Sequence, residues 1–188
     1  LHAISPRYVF FPHWSHIIPS EIHEVFECVI FHMTDLPYGR GGSPLQNLIQ
    51  RGHKETKISS LRCVNELDAG PIYLKRPLSL EGSASEIFHR AANIIEVMIE
   101  EIVDKEPAPR PQQGEPTVFR RRTPEQSNLR EANLLTLKDL FDFIRMLDAP
   151  TYPLAFIEHE GFLLEFYHAQ SLNNTIEARV VIRRKDDL

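Results

Sequence analysis

The sequence predicts an α/β core followed by a small C-terminal domain that contains β-strands. Residues 8–11 and 28–31 are apolar at every position, a pattern typical of strands in a parallel sheet that is covered on both faces. Residues 84–103 carry apolar side chains at steps of three and four, as an amphipathic helix does. Strands of this kind combined with such a helix favour the α/β class.

The composition is that of a globular protein with one domain and an appendage. The chain has 188 residues, 42% hydrophobic and 25% charged, which is enough to bury a core. No apolar run approaches the roughly 20 residues that cross a bilayer, and the first ten residues lack the order of a secretion signal. We therefore expect a cytoplasmic protein without membrane contact. Cys28 and Cys63 are too few for a disulfide framework, so both are expected to be reduced and buried.

The first half of the chain carries two predicted strands and two predicted helices. A strand over residues 8–11 leads through a loop into a short helix over 21–26, and the second strand covers 28–31. Residues 45–51 are amphipathic enough for another helix. This order agrees with an α/β core.

A further strand is predicted over residues 56–64, where apolar and polar positions alternate. Ile58, Leu61 and Val64 are the candidates for its buried side. Residues 70–80 would form its hairpin partner or its extension.

The longest predicted helix covers residues 84–103. Ser83 and Glu86 form the S-x-x-E pattern of a capping box at its start. Its apolar face consists of Ile87, Ala91, Ile94, Met98 and Ile102. We expect this face to lie on the sheet.

Three regions are predicted along the chain: a catalytic core over residues 1–105, a linker over 106–134 and a C-terminal domain over 135–188. The stretch after the long helix is rich in proline and polar residues, which favours a boundary there.

The C-terminal domain is predicted to contain one helix and three strands. Thr136 can cap the helix, a hairpin is expected to turn at Glu160 and Gly161, and residues 175–184 would add a strand. Apolar residues of the hairpin would form a contact between two copies of the chain, giving a homodimer, or would pack on the main domain. These residues are Phe162, Leu164 and Phe166.

His32 is the first candidate for chemistry, because it follows a buried strand at the edge where open α/β sheets bind ligands. The loop beyond it contains Gly39, Gly41 and Gly42, which let the main chain approach a ligand closely. A histidine at a strand end also occurs in purely structural roles, and the residue pattern leaves both interpretations open.

Asp68 is the second candidate, since it lies between apolar residues and a small-residue turn. A buried carboxylate needs a partner. His32 could supply one, and the pair would then act as a general base. Alternatively, Asp68 only stabilises its own turn.

The segment "HMTDLPYGRGGSPLQNLIQRGHKETKISSLRCVNELDAGPIYLKRPLSL" resembles the signature region of the formyltransferases that use 10-formyltetrahydrofolate. This family includes methionyl-tRNA formyltransferase and the sugar N-formyltransferases. The resemblance extends upstream into "FFPHWSHIIP" and downstream through "FRRRTPEQS" and "IRMLDAPTYPLAFI". It implies a Rossmann-like core followed by a small C-terminal domain. We expect the N-terminal strands of that core to be missing from this sequence.

The resemblance also implies the chemistry. An asparagine, a histidine and an aspartate promote attack of a substrate amine on the formyl group of 10-formyltetrahydrofolate. The histidine corresponds to His32 and the aspartate to Asp68, but Ile30 occupies the asparagine position. Asn47 on the following helix or Thr34 could take over the lost contact. Alternatively, the protein is an impaired catalyst.

Ligand-binding residues follow from the same resemblance. Folate would contact Phe11, Trp14, Ile18, Leu67 and Asp68, and the acceptor would contact Arg40, Gly41 and Gly42. Aromatic side chains such as Trp14 commonly pack on flat ligands. His13 and His16 have a metal-ligand spacing, but no third ligand is near them in the sequence, so pocket lining is favoured over metal binding.

The acceptor is left open by the resemblance. The formal charge of −5 disfavours a broad surface for nucleic acid, so a nucleotide-linked amino sugar or a similar small molecule is favoured over methionyl-tRNA. A folate-binding or interaction protein with weak catalysis is the third hypothesis. Three arginines at residues 120–122 form either a solvated loop or a phosphate contact.

Overall fold

The structure is a computed structural model that describes residues 1, 3–150 and 152–187. Within these residues no helix is long and apolar enough to cross a membrane. The strands are β1 (Val9–Phe11), β2 (Cys28–His32), β3 (Arg40–Gly41), β4 (Glu55–Arg62), β5 (Ile72–Ser79), β6 (Val118–Phe119), β7 (Ala155–His159), β8 (Phe162–Leu172) and β9 (Thr175–Arg184). The α-helices are α1 (Ser20–His23), α2 (Pro44–Gln50), α3 (Ala84–Lys105) and α4 (Leu137–Arg145).

The chain divides into two compact units. Segments Leu1–Pro44, Glu55–Ser79 and His89–Arg120 make up the first unit. The second unit contains Leu45–Lys54, Leu80–Phe88 and the chain from Arg121 onward. The predicted fold class, an α/β core with a small C-terminal domain containing β-strands, is confirmed. The predicted boundaries at residues 105 and 134 stay a prediction.

The first unit is built on a four-stranded sheet in the order β1-β2-β4-β5. β1 and β2 are parallel, as expected, but β4 runs antiparallel to both β2 and β5. The sheet is therefore mixed, because β4 and β5 form a hairpin rather than a helix-linked parallel pair. This order brings the end of β2 next to β4, with His32 opposite Ser59.

β4 differs from the predicted strand in the position of its buried side chains. Ile58, Ser59, Ser60 and Leu61 are buried in succession, so both faces of the strand are covered. Ile58 and Leu61 are both buried, but they point to opposite faces because side chains alternate along a strand. Val64 lies beyond the strand and is 37% exposed. The prediction that only one side of the strand over residues 56–64 is buried is therefore wrong.

The capping box of α3 is confirmed. Ser83 Oγ accepts a hydrogen bond from Glu86 N (3.3 Å), and Glu86 Oε2 accepts one from Ser83 N (2.7 Å). The buried face of the helix contains Ile87, Ala91, Ile95, Met98 and Ile102. Ile95 thus occupies the place predicted for Ile94, which is only partly buried.

The second unit contains α4 and an antiparallel sheet in the order β7-β8-β9. Thr136 caps α4 as predicted, with Asp139 N donating to Thr136 Oγ1 (3.1 Å). The hairpin between β7 and β8 turns at Glu160 and Gly161, both in the left-handed region, and β9 covers the predicted strand. Phe162 is exposed, whereas Leu164 and Phe166 are partly buried.

The two cysteines are free thiols. Cys28 is buried, and burial raises its pKa to about 11. Cys63 is only half-buried, so the expectation that both are buried holds for Cys28 alone. Both thiols are poor nucleophiles, because burial also raises the pKa of Cys63.

Candidate active site

His32 and Asp68 meet in the first unit. His32 Nδ1 lies 3.6 Å from Asp68 Oδ2, and each residue is only 8% exposed. The separation is longer than a direct hydrogen bond, but it lies within the range of strong electrostatic interaction. β2 places the histidine at its last position, while a turn before β5 places the aspartate.

The other ring nitrogen of His32 contacts the glycine loop. His32 Nε2 lies 2.7 Å from the carbonyl oxygen of Gly39. A carbonyl oxygen only accepts, so Nε2 carries the proton in this arrangement. The imidazole therefore sits between two acceptors, a carbonyl at Nε2 and a carboxylate at Nδ1, and it presents a donor at Nε2.

Gly39 is required by close packing at this point. Its φ is +76°, and a Cβ there would lie 2.6 Å from the Phe119 ring and 2.9 Å from the Thr34 methyl group. The Thr34 hydroxyl donates to the same Gly39 carbonyl (3.3 Å). The loop thus brings one main-chain oxygen to both an imidazole and a hydroxyl.

Gly41 holds the carboxylate of the pair. Its N–H donates to Asp68 Oδ2 (2.8 Å), and its φ is +99°. A side chain at this position would overlap the carbonyl oxygen of Phe119. Gly42 N donates to that same oxygen (3.2 Å). Gly41 and Gly42, which were predicted to bind the acceptor, thus hold two neighbouring groups in place: Gly41 binds the Asp68 carboxylate, and Gly42 binds the Phe119 carbonyl.

Gln112 supports the turn that carries Asp68, a role that the sequence did not indicate. Asp68 adopts a left-handed φ of +52°, and Gln112 Nε2 donates to the carbonyls of Asp68 (2.7 Å) and Gly70 (2.9 Å). Gln112 Oε1 in turn accepts from Arg40 Nη2 (2.9 Å). Gln112 lies in the proline-rich stretch, where no periodic pattern or motif distinguishes it.

Arg40 is tied to its neighbours within the first unit. Besides Gln112, its Nη1 contacts Glu66 Oε1 (2.9 Å), and only 15% of its side chain is exposed. The guanidinium therefore organises the Asp68 turn. Its predicted contact with an acceptor stays a prediction.

The position of the family asparagine carries an apolar side chain. Ile30 precedes His32 by two residues on β2, so the two share one face of the strand. Ile30 is paired with Phe11 on one side and Leu61 on the other. Its side chain cannot donate a hydrogen bond, so this position supplies no polar contact beside the histidine.

The two candidates for the lost contact lie in different units. Thr34 belongs to the first unit with His32, and it is fully buried. Asn47 belongs to the second unit, where its Oδ1 accepts from Arg51 Nη1 (2.8 Å). Thr34 and His32 meet at the same loop carbonyl, that of Gly39.

The predicted folate contacts are divided between exposed and buried positions. The rings of Phe11 and Trp14 meet edge to face at 5.6 Å, and Trp14 is 54% exposed. Leu67 is exposed, whereas Ile18 is buried. A cavity of about 440 Å³ adjoins this segment, lined by Pro12, His13, Ala92, Ile95, Glu96, Ile99 and Glu100. Burial lowers the pKa of His13.

Metal ligands do not cluster in the described part of the chain: no group of three or more His, Cys, Asp or Glu side chains could hold an ion there. Trp14 instead lies edge to face against His16, with ring centroids 5.6 Å apart.

The chain is similar to known proteins both in sequence and in structure. The family model for the C-terminal domain of methionyl-tRNA formyltransferase matches residues 124–183. The structure of a methionyl-tRNA formyltransferase from Clostridium thermocellum is 53% identical, with a TM-score of 0.93 over 97% of this chain and 80% of that one. Methionyl-tRNA formyltransferase of Methylococcus capsulatus is 30% identical over 94% of this chain and 59% of that protein.

A more distant structure shares the fold. HypX from Aquifex aeolicus, solved in complex with tetrahydrofolic acid, is 18% identical with a TM-score of 0.70 over 87% of this chain and 29% of that one. The similarities and the site together define the class, a formyltransferase-type α/β protein with a histidine at a strand end. The chain belongs to the family of 10-formyltetrahydrofolate-dependent formyltransferases, as the sequence resemblance indicated.

The similarity covers only part of several relatives. The chain spans 35%, 62% and 26% of the length of the first three curated relatives that it matches, all methionyl-tRNA formyltransferases.

Proposed function

We propose that the protein transfers the formyl group of 10-formyltetrahydrofolate to a primary amine. The observation that carries the proposal is the buried His32–Asp68 pair on the glycine loop. The two residues occupy the positions that the family signature assigns to its catalytic histidine and aspartate. Membership of the family and the tetrahydrofolate found with HypX support folate as the donor.

The reaction consists of a nucleophilic attack by the amine and the loss of the folate leaving group. The amine nitrogen attacks the formyl carbon, and the carbonyl electrons move to oxygen to form a tetrahedral oxyanion. When this intermediate collapses, the bond from the formyl carbon to the folate nitrogen breaks. One amine proton is lost, and the departing folate nitrogen gains one, so charge and protons balance. A catalyst must stabilise the oxyanion and move the proton.

His32 is placed to donate to the oxyanion. Its Nε2 proton points at the Gly39 carbonyl, and an oxyanion in the site would compete for that proton as a stronger acceptor. Asp68 Oδ2 lies 3.6 Å from Nδ1, on the opposite side of the ring, so the carboxylate helps to hold the imidazole in this orientation. The geometry therefore supports oxyanion stabilisation by His32 more than the general-base role predicted from the sequence.

Thr34 is the best candidate to replace the missing asparagine. Its hydroxyl reaches the same carbonyl oxygen as His32 Nε2, so the two donors converge on one point. Asn47, in contrast, uses its side-chain oxygen to bind Arg51. Loss of one oxyanion donor typically lowers kcat about 10²–10³-fold, so a second donor is needed for efficient turnover.

We infer that the acceptor is a small amine, such as a nucleotide-linked amino sugar. Four basic side chains of the C-terminal unit are paired with carboxylates, which reduces the positive charge available to a polyanion. The pairs are Arg145 and Lys138 with Asp142, Arg183 with Glu165, and Lys185 with Glu158. Within the arginine triplet, Arg122 stacks on Phe143 and contacts Gln50 and Gln126, so it acts structurally.

Methionyl-tRNA is the second candidate acceptor. The observation that favours it is the 53% identity with the Clostridium thermocellum structure, which is a methionyl-tRNA formyltransferase. The domain model matched by residues 124–183 carries the same name.

The test supplies the protein with 10-formyltetrahydrofolate and either amino-sugar nucleotides or charged initiator tRNA. Release of tetrahydrofolate and formylation of the acceptor are followed together. Formylation of an amino sugar supports the small-amine proposal, and formylmethionyl-tRNA supports the alternative. Absence of turnover with both, despite measurable folate binding, would support the third hypothesis of a weakly catalytic folate-binding protein.

A further inference from the structure

The two cysteines of the chain lie opposite each other on neighbouring strands of the first unit. β2 and β4 are antiparallel, with Val29 opposite Arg62 and Ile30 opposite Leu61. One step further along this register Cys28 lies opposite Cys63, and Cys63 N donates to Cys28 O (2.8 Å). The sheet thus brings together two thiols that are far apart in the sequence.

The geometry of this pair suits a disulfide. Side chains of directly opposed residues in an antiparallel ladder point to the same face. At a hydrogen-bonded position the Cα atoms are about 5.5 Å apart, a separation that is common in disulfides. The Cβ atoms must approach to about 3.5–4.5 Å, and Cys63 can adjust because it follows the last residue of β4. A bond between the two sulfurs therefore requires only a small local movement.

The two thiols differ in exposure. Cys28 is fully buried, whereas Cys63 is half-buried. A small oxidant in solution therefore reaches Cys63 first, and Cys28 is the thiol that attacks from inside the protein. An accessible thiol beside a second, resolving thiol is the arrangement that forms reversible disulfides.

Electrostatics show that the two thiols interact and that their oxidation is slow. Burial and the neighbouring Cys63 thiol raise the pKa of Cys28 to about 11. Burial and the Asp68 carboxylate raise the pKa of Cys63. Because the thiolate is the form that attacks a disulfide, both raised pKa values slow oxidation at neutral pH. We therefore expect the pair to exchange with an oxidant over minutes to hours.

We propose that Cys28 and Cys63 form a reversible disulfide in the folded protein, with a low-molecular-weight disulfide such as oxidised glutathione as the oxidant. The Cys63 thiolate attacks one sulfur of the oxidant, which forms a mixed disulfide and releases one small thiol. The Cys28 thiolate then attacks the Cys63 sulfur and releases the second small thiol. The protein loses two protons and two electrons, and the oxidant takes up both.

The bond would tie β2 to the start of the segment that carries Asp68, because Cys63 precedes this segment directly. Cys28 also shares one face of β2 with Ile30 and His32, since side chains alternate along a strand. The cross-link would therefore lie on the side of the sheet that carries the candidate site. The proposal itself does not depend on the formyl transfer.

The first experiment equilibrates the native protein with mixtures of reduced and oxidised glutathione, stops the exchange with acid and measures the protein mass and the free thiols. We expect a monomeric product without free thiols that is lighter than the reduced protein by two hydrogen atoms. Because the chain has two cysteines, this product must be the Cys28–Cys63 disulfide. Excess reduced glutathione should restore both thiols. A native protein that keeps both thiols, or that accumulates only glutathione adducts, would overturn the proposal.

The second experiment distinguishes a disulfide favoured by the fold from one that any flexible chain forms. The same equilibration in concentrated urea gives the equilibrium constant for the unfolded chain. We expect the constant to be at least about 10²-fold larger in the native protein, as the usual stabilisation by a disulfide requires. An equal or smaller constant in the native protein would show that the fold does not hold the two thiols in bonding geometry.

Two single variants test the order of attack. Cys28→Ser keeps the half-buried thiol and should accumulate a mixed disulfide with glutathione at Cys63. Cys63→Ser is the matched control, because its remaining thiol is fully buried. We expect its adduct to form at least about tenfold more slowly. Equal rates in the two variants would contradict the assignment of Cys63 as the thiol that is attacked first.

Discussion

Two histidine–aspartate pairs occur among the residues that the structure describes, one in each unit. His32 Nδ1 lies 3.6 Å from Asp68 Oδ2, and His168 Nδ1 lies 3.4 Å from Asp148 Oδ2. The pairs differ in their surroundings, because the His32 side chain is 10% exposed and the His168 side chain is 60% exposed. Distance between the two groups therefore does not distinguish a candidate site from a structural contact.

The two pairs also differ in the main-chain N–H group that each carboxylate binds. Asp148 Oδ2 accepts the main-chain N–H of His168 itself (2.8 Å), at an irregularity in β8 where His168 has a φ of +50°. Asp68 Oδ2 instead accepts from Gly41 in a remote loop. Of the two pairs, only His32–Asp68 has a buried imidazole whose Nε2 faces the carbonyl of a glycine loop. His168 therefore fits a structural contact within the sheet, whereas His32 remains the candidate for the proposed chemistry.

The largest expected effect separates the two histidines. His32→Ala removes the proposed oxyanion donor and should lower kcat about 10²–10⁴-fold. His168→Ala removes only an exposed ring and should leave kcat unchanged. Tetrahydrofolate release with the accepted amine measures both variants. Equal losses in the two would refute the distinction between the pairs.

The next effect concerns the second donor. Thr34→Val keeps the shape of the buried side chain but removes its hydroxyl, so we expect kcat to fall about 10²-fold with little change in KM. Asn47→Ala is the comparison variant and should cost less, because the side-chain oxygen of Asn47 already binds Arg51. Single-turnover rates of the two variants would show whether Thr34 or Asn47 donates to the oxyanion. A larger loss for Asn47→Ala would restore the assignment made from the sequence.

A third prediction compares glycines in the two units. Gly41→Ala places a side chain against the Phe119 carbonyl at a φ of +99° and should lower the free energy of unfolding by about 2–4 kcal/mol. Gly161→Ala also has a positive φ, but no atom lies within 4 Å of the new group. Its cost should be about 1 kcal/mol. Urea unfolding gives both values, and similar costs would argue against close packing at Gly41.

The smallest expected effect tests the support of Asp68. Gln112→Ala removes the two donated bonds that hold the Asp68 turn, and we expect kcat to fall about tenfold as the carboxylate shifts. Gln113→Ala, at the exposed neighbouring position, should be silent. Rescue by Gln112→Asn is not expected, since its shorter side chain would not span the same carbonyls. An active Gln112→Ala variant would show that Gly41 alone fixes Asp68.

Much of the fold could be predicted because it rests on local patterns. The capping boxes at Ser83 and Thr136, the apolar face of α3, the turn at Glu160 and Gly161 and the strand over residues 175–184 all depend on residues close together in the chain. The family signature likewise indicated His32 and Asp68 as a pair, and the two side chains do converge.

The tertiary structure decided the features that depend on distant segments. Neither the antiparallel direction of β4 nor the burial of both its faces could be predicted, because each is set by the neighbouring strands and the layers that cover them. Gln112 was missed for the same reason: its partners at Asp68 and Gly70 are more than forty residues away. By itself the sequence predicted most of the helices and strands and identified His32 and Asp68 as the candidate pair. Only the folded chain decided which donors meet at the Gly39 carbonyl, because that depends on packing between segments that no local pattern records.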